Sequence, residues 1–278
     1  MSGTRGESRS SNPKITRLFY WVTAVESGVL LVAGGGLLFF PWLMGPLWPW
    51  DVAPFNVLLL GSIYSASIVA TISTVYFQRW APARIVAPMI FVFTVVVLVV
   101  SLMNLDRFDL GHYSSWLWFI LYIGIPVNAG YYLWLQRGRK PYFPYPMESP
   151  WRMILLAPVV LLGLYGLGLL IAPDTFTSFW PWPIDAFHGR MYSVAYLTPA
   201  VGALLLWRAS APVELQTMGL TQGIGGLVPL IGLVVVDGNV GGKVDWAASG
   251  TWLWLGSFAV LFLTGLGLVW QSRTRRPA

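Results

Sequence analysis

The chain lacks cysteine altogether and has little charge. Only 10% of its 278 residues are charged, and it contains two histidines. Without cysteine, disulfides, thiolate catalysis and zinc–thiolate sites are excluded. A histidine-ligated haem would have to use His112 or His188. Because soluble domains average roughly 25% charged residues, this composition could not cover a soluble surface.

Sequence motifs of common catalysts and nucleotide binders are also missing. The chain has no Walker loop, dinucleotide fingerprint, His-Glu-x-x-His or Gly-x-Ser-x-Gly. A net charge of +6 can indicate nucleic-acid binding, but here the basic residues form short clusters between apolar runs. That pattern is typical of membrane topology. We therefore predict no nucleic-acid partner, no metal site and no cofactor.

Long apolar runs dominate what remains, since 56% of the residues are hydrophobic. A membrane span needs about 20 mostly apolar residues, and runs of that length exceed the strands of a barrel. The sequence predicts an all-α integral membrane protein, surrounded by the lipid bilayer, with eight transmembrane helices. Their approximate bounds are Leu18–Phe40, Phe55–Phe77, Arg84–Met103, Trp116–Leu135, Met153–Ile171, Met191–Trp207, Leu215–Val236 and Trp252–Trp270.

The basic residues predict the orientation of these spans. If eight spans alternate, Arg107, Arg190 and Lys243 lie on one side and the other 14 of the 17 basic residues lie on the opposite side. Basic residues mark the cytoplasmic side, so both termini are expected in the cytoplasm. Arginine greatly outnumbers lysine, which favours a bacterial origin and hence the plasma (inner) membrane.

The second half of the chain echoes the first. Trp48-Pro49-Trp50 recurs as Trp180-Pro181-Trp182, and we call the separation of Trp48 from Trp180 along the chain the repeat offset. Trp116 matches Trp252 at a slightly larger separation. These matches predict a duplication, although tryptophan and proline also recur independently in loops at a membrane surface. Because each half has an even number of spans, the two repeats would have the same topology.

The expected organisation follows from these spans. It consists of a disordered cytoplasmic N-terminus (1–14), a first four-helix repeat (15–137), a cytoplasmic linker (138–150), a second four-helix repeat (151–271) and a cytoplasmic tail (272–278).

Part of the chain resembles a group of uncharacterised bacterial polytopic membrane proteins. The resemblance is carried by Asn56–Thr71, Asn104-Leu105-Asp106-Arg107-Phe108-Asp109 and Trp116-Leu117-Trp118-Phe119. The pattern of that group is similar to Asn-Ala-Arg-x-x-Gly-Ala followed by Leu-Asp-Arg-Phe-Asp-Phe. This chain departs from it at Leu58, where the group has arginine, and keeps an arginine at the matching Arg190. The resemblance implies no activity.

One group of candidate site residues lies on the predicted outer side. Its members are Asp106, Arg107, Asp109, His112, Asp185, His188, Arg190 and Asp237. Together they could bind a divalent ion, a phosphate or a sugar head group, or supply a general base. The alternative is structural, in which they form salt bridges between helix ends, with Arg190 and Asp237 as one such pair.

A second group of candidates lies inside the spans. Glu26 is the only acidic residue well inside one, and an intramembrane carboxyl points to a functional site by default. It either serves that role or pairs with Arg17 or Arg84 near the inner interface. Asn128 and Gln222 are intramembrane amides, and such amides commonly link helices.

Three functions remain open from the sequence. The first is a carrier of a small, apolar or lipid-like molecule, favoured by the span count, the repeat and Glu26. The second is a non-catalytic scaffold or accessory subunit, favoured by sparse polar chemistry. Whichever function holds, a homo-oligomer or an unidentified partner in a membrane complex remains open. The third is an enzyme that uses the outer group on a lipid-linked substrate.

Overall fold

Long apolar helices make up most of the structure. The computed structural model describes residues 12–140, 142 and 145–274. Within these ranges seven helices are long and apolar enough to cross a membrane, namely Arg17–Phe39, Pro54–Phe77, Trp80–Met103, Tyr113–Leu135, Ser149–Ile171, Pro212–Asn239 and Ser249–Thr274. The chain is therefore an all-α, membrane-embedded protein. The predicted disorder of the N-terminus falls mostly on residues 1–11, which lie outside the described ranges.

The elements follow one another in a simple order. The helices are α1 (Arg17–Phe39), α2 (Pro41–Met44), α3 (Pro54–Phe77), α4 (Trp80–Met103), α5 (Tyr113–Leu135), α6 (Ser149–Ala157), α7 (Gly163–Ile171), α8 (Pro173–Phe176), α9 (Ala186–Tyr192), α10 (Val194–Leu206), α11 (Pro212–Asn239) and α12 (Ser249–Thr274). A π-helical segment, Pro158–Leu162, joins α6 to α7. Three short 3₁₀ helices cover Gly45–Leu47, Leu105–Arg107 and Thr177–Phe179, and β1 (Tyr145–Pro146) pairs antiparallel with β2 (Ala209–Ser210).

Local sequence explains where several helices begin. The Thr16 hydroxyl caps α1 by accepting a hydrogen bond from the backbone amide of Phe19 at 3.2 Å. Pro54 and Pro212 occupy the first positions of α3 and α11, where the missing amide hydrogen would have had no partner. Asp185 caps α9 through the backbone amide of His188. Within the bilayer, helix formation is required because it satisfies the backbone internally.

The sixth apolar segment covers the end of α9 and all of α10. Only Ser193 separates these two helices, which have 7 and 13 residues. The Ser193 hydroxyl donates to the carbonyl of Arg190 at 2.6 Å, and Pro199 lies inside α10. Neither helix alone reaches the length of a span.

Element boundaries recur along the chain at the repeat offset. The helix α2 (Pro41–Met44) corresponds at this offset to α8 (Pro173–Phe176). The 3₁₀ helices that follow them, Gly45–Leu47 and Thr177–Phe179, are separated by the same offset. The starts of α3 and α9 are separated by the same offset, as are the starts of α4 and α11.

Packing between the two halves of the chain is reciprocal. The helix α3 packs against α11, and α10 packs against α4. Within each half, α1 packs on α3, α4 on α5, and α11 on α12. The recurrence described above makes α10 the counterpart of the later part of α3 and α11 the counterpart of α4. The elements that pack across the interface are therefore related by the repeat offset.

Large apolar side chains cover the outside of the bundle. Trp21 is 64% exposed, and the exposed set includes Ile120, Leu164, Leu253 and Leu263. Such a surface is unstable in water and suits contact with lipid tails. Residues Asn12 to Lys14 run along one end of the bundle, where the Asn12 side chain accepts from the amide of Ala81 at 2.9 Å.

Candidate functional site

A cavity lies between the two halves of the bundle, and we call it the central cavity. It has a volume of about 90 Å³ and is lined by α1, α3 and α4 from the first half and by α10, α11 and α12 from the second. Its wall is mostly apolar. The polar side chains in that wall are those of Glu26, Ser67, Thr71, Thr198, Thr221 and Gln222.

Three of these polar side chains have unsatisfied buried atoms. Within the described part of the chain, Oε2 of Glu26, Oγ1 of Thr198 and both polar atoms of the Gln222 amide have no hydrogen-bond partner. By contrast, the hydroxyls of Thr71 and Thr221 donate to carbonyls of their own helices. A buried polar group without a partner costs about 1–3 kcal/mol. The central cavity therefore presents a donor and acceptor set that a bound molecule can satisfy.

A larger groove opens on the side of the first half, between α1 and α5, and we call it the lateral groove. Its volume is about 520 Å³. Exposed apolar residues of both helices form its rim, including Val25, Val32 and Leu117. Binding pockets for small molecules commonly have volumes of roughly 300–1,000 Å³. The groove has that size and opens towards the lipid-facing surface.

Aromatic rings form the inner wall of the lateral groove. The rings of Trp118 and Tyr122 lie 4.2 Å apart, and those of Trp48 and Tyr64 lie 5.8 Å apart. The hydroxyls of Tyr64 and Tyr122 share a hydrogen bond of 3.1 Å. Phe93 completes this wall. Since the rings are already packed against one another, the wall is formed before any ligand arrives.

Glu26 stands where the two cavities meet. Together with Leu30 and Phe93 it lines both the central cavity and the lateral groove. The residue is 8% exposed, and among the described residues it forms no ion pair. The pairing with Arg84 considered from the sequence is not made, because the Arg84 guanidinium binds another carboxylate. Glu26 is thus an unpaired carboxyl facing two cavities.

The second half has a corresponding groove without an acid. This second groove has a volume of about 440 Å³ and lies between α7 and α12. Several residues that line the second groove lie one repeat offset after residues that line the lateral groove. They include Leu161, Leu162, Tyr165, Phe176 and Phe179. At that offset Glu26 corresponds to Pro158, which does not line the second groove. The two grooves therefore correspond in position along the chain, but only the lateral groove is lined by an acidic residue.

The two intramembrane amides are placed differently. Gln222 lies on α11, is 2% exposed and reaches the central cavity. Asn128 is buried on α5 and lines neither the central cavity nor the lateral groove. Of the three intramembrane candidates, the structure brings Glu26 and Gln222 to one cavity and leaves Asn128 elsewhere.

Part of the outer group converges around Asp185. Its carboxylate accepts from the Arg107 guanidinium at 3.0 Å and contacts Nδ1 of His188 at 2.7 Å. Asp106 lies 4.0 Å from Arg107, and its side chain is 82% exposed. None of these side chains lines the central cavity or the lateral groove.

The local environment shifts the pKa values of Asp185 and His188. Both residues precede the sixth apolar segment. Partial burial raises the pKa of the Asp185 carboxyl. Hydrogen bonds from the His188 amide and imidazole, with the charge of Arg107, outweigh burial and leave that pKa below its ordinary value. Burial lowers the pKa of His188 and outweighs the opposing effect of the carboxylate. The lowered pKa favours the neutral form of the imidazole.

Asp109, His112 and Asp237 of the outer group form hydrogen bonds within their own loops. Asp109 accepts from the backbone amide of Gly111, and His112 bonds the Ser114 hydroxyl. The carboxylate of Asp237 accepts from the amides of Lys243 and Val244 and from the indole of Trp246.

Arg190 has no side-chain partner among the described residues, so the pair with Asp237 is not formed. In the described part of the chain, no group of three or more His, Asp or Glu residues is arranged to hold a metal ion.

A buried ion pair joins the two halves. It was not predicted from the sequence. Arg84 on α4 donates to both oxygens of Glu214 on α11, at 2.6 and 2.7 Å. The Glu214 side chain is 0% exposed, and the Arg84 side chain is 12% exposed. The guanidinium also donates to the carbonyls of Leu205 and Ala209. This contact lies at the end of the bundle that carries Lys14, which we call the arginine-rich end.

At the opposite end of the bundle, which we call the tryptophan-rich end, aromatic rings of each half pack against rings of the other half. Phe55 stacks on Trp182 with centroids 5.0 Å apart, and its counterpart at the repeat offset, Phe187, meets Trp50 edge-on at 5.4 Å. The Trp182 indole also donates to Asn56 at 3.0 Å. The two halves are thus joined by rings at one end of the bundle and by an ion pair at the other.

No profile of a known protein family, no curated protein sequence and no solved structure matches the chain.

Proposed function

We propose that the chain is a plasma-membrane carrier that binds a small, largely apolar molecule where the central cavity meets the lateral groove. The observation that carries the proposal is the presence of two side chains with unpartnered polar atoms, Glu26 and Gln222, in a mostly apolar cavity between the two halves. Carriers commonly bind substrate at the interface of repeats near the middle of the membrane.

The proposed architecture has eight spans in two same-topology halves. The recurrence of helix boundaries at the repeat offset supports a duplication, as do the reciprocal contacts of Phe55 with Trp182 and Phe187 with Trp50. In this architecture the end of α9 and α10 together form the sixth span. Basic residues cluster at the arginine-rich end, which supports a cytoplasmic location for both termini.

The alternatives receive less support. An enzyme using the outer group needs free catalytic side chains around an opening, yet Asp185 is engaged by both Arg107 and His188. A scaffold accounts for the exposed apolar surface but leaves the unpartnered groups of the central cavity unexplained. A carrier accounts for both features, because its surface faces lipid and its polar groups face a ligand.

Accessibility of single cysteines tests the architecture, since the chain has none of its own. We expect Asp106→Cys and Asp174→Cys to react with a membrane-impermeant maleimide in intact cells. Arg137→Cys and Arg208→Cys should react only after permeabilisation. Asp174 and Arg208 flank the proposed sixth span, so labelling of both from the same side would exclude eight spans.

Binding of an apolar probe tests the site. In lipid nanodiscs we expect N-phenyl-1-naphthylamine to bind the wild type, detected by energy transfer from tryptophan. Thr198→Phe fills part of the central cavity and should weaken binding by at least about tenfold, which corresponds to about 1.4 kcal/mol. Leu204→Phe, at a 54% exposed position on the same helix, should leave binding unchanged. Equal behaviour of the two variants would contradict the proposed site.

A further inference from the structure

The wall around Glu26 contains one carboxyl and no basic side chain among the described residues. Among the residues lining the central cavity and the lateral groove, Glu26 is the only one with a carboxyl, amine, guanidinium or imidazole. The titratable groups facing it from neighbouring helices are the phenols of Tyr64 on α3 and Tyr122 on α5. The charged residues of α4 and α11 closest in sequence to the cavity walls, Arg84 and Glu214, neutralise each other.

A carboxylate without a counter-charge is expensive in an apolar environment. The charge must be removed by a proton or balanced by a cation that enters from outside the chain. No described cationic side chain is in a position to do this. The protonation state of Glu26 therefore depends on which molecule or ion occupies the cavities.

The lateral groove has the remaining features that a bulky cation requires. Its aromatic wall of Trp48, Tyr64, Trp118 and Tyr122 offers ring faces that attract positive charge. Its apolar rim gives access from the bilayer, where hydrophobic cations accumulate. Its volume of about 520 Å³ accommodates a molecule with several rings. A compact inorganic ion would instead need several oxygen ligands, and the groove offers few.

We infer that the ligand is a lipophilic organic cation that exchanges with a proton at Glu26. This inference rests on the proposed carrier function and names its substrate class. In the empty protein the Glu26 carboxyl holds the proton. When the cation enters the lateral groove, that proton passes to solvent, and the carboxylate becomes the counter-ion. Charge is conserved, because one monovalent cation replaces one proton.

Tetraphenylphosphonium is the probe that tests the exchange, and its neutral analogue tetraphenylmethane tests charge selectivity. We expect the cation to bind the wild type in nanodiscs and to release one proton, detected with a pH indicator in weak buffer. Its dissociation constant should rise about tenfold for each unit of falling pH wherever the free carboxyl is protonated. The neutral analogue should release no proton.

Substitutions at Glu26 separate charge from shape. Glu26→Gln should abolish cation binding and proton release while retaining thermal stability, because it removes an unpaired carboxyl from an apolar site. Glu26→Asp should retain both with reduced affinity. Asp174→Asn removes an exposed acid elsewhere and should change neither.

The two grooves provide a matched pair of blocking variants. Val29→Trp narrows the lateral groove and should weaken cation binding at least tenfold. Leu161→Trp, at the corresponding position of the acid-free second groove, should have no effect.

The outcomes distinguish this inference from the proposal on which it rests. If Glu26→Gln binds tetraphenylphosphonium as well as the wild type does, or if binding releases no proton, the exchange is refuted. If the naphthylamine probe still binds in that case, the carrier proposal survives with a neutral ligand. If neither probe binds, both are refuted.

Discussion

Replacing Arg84 with methionine is expected to lower the free energy of unfolding in detergent by about 3–5 kcal/mol, because it leaves the fully buried Glu214 carboxylate without its partner. The expected loss is large since both oxygens of Glu214 accept from the guanidinium. It should appear as a substantially lower midpoint in thermal or denaturant unfolding.

Two further variants identify the cause of that loss. The double change Arg84→Met with Glu214→Leu removes both charges and should recover most of the lost stability. Arg107→Met breaks the pair with Asp185 instead, where both side chains are at least 40% exposed, and should cost at most about 1 kcal/mol. A loss in the double variant as large as in the single one would mean that packing, not charge, is responsible.

Gly226→Ala should be among the most damaging small substitutions in the second half. A Cβ at this position would lie 2.5 Å from the carbonyl oxygen of Phe258 and 2.5 Å from the amide nitrogen of Phe262, both backbone atoms of α12. Relief requires α11 and α12 to separate, which costs about 1–3 kcal/mol for overpacking of this kind. The measurement is again the unfolding midpoint in detergent.

Gly223 provides the matched control on the same helix. A Cβ there would meet nothing within 4 Å, so Gly223→Ala should leave stability unchanged or raise it by up to about 1 kcal/mol through helix propensity. If both substitutions destabilise equally, close approach of the helices is not the reason for glycine at position 226.

Composition was enough to predict the class of the protein, but it did not predict the contacts that the outer group makes. The low charge and the long apolar runs indicated membrane-embedded helices, and the described ranges contain seven. The contact between Asp185 and His188 spans three residues and is a property of one helix start. Asp237 instead folds back on its own loop, because Gly241 and Gly242 adopt positive φ and turn the chain.

Contacts between distant helices could not be predicted in this way. The Arg84–Glu214 pair joins two residues that are far apart in sequence, and each alone has the sequence pattern of a charge at a helix end. Glu26 and Gln222 were recognised singly as intramembrane polar residues. That both line one cavity depends on how α1 and α11 are arranged across the halves, and no periodicity within either helix encodes that arrangement.

The difference between the two grooves determines how many equivalents of ligand the protein is expected to bind at saturation. A symmetric dimer of four-helix subunits would carry two acids and would saturate with two equivalents of ligand, with scope for cooperativity between them. Here Pro158 occupies the position that corresponds to Glu26. If Glu26 is the binding acid, as we propose, saturation is expected at one equivalent per chain along a simple hyperbola with a Hill coefficient of one. Placing a glutamate in the second groove is the route to a cooperative variant.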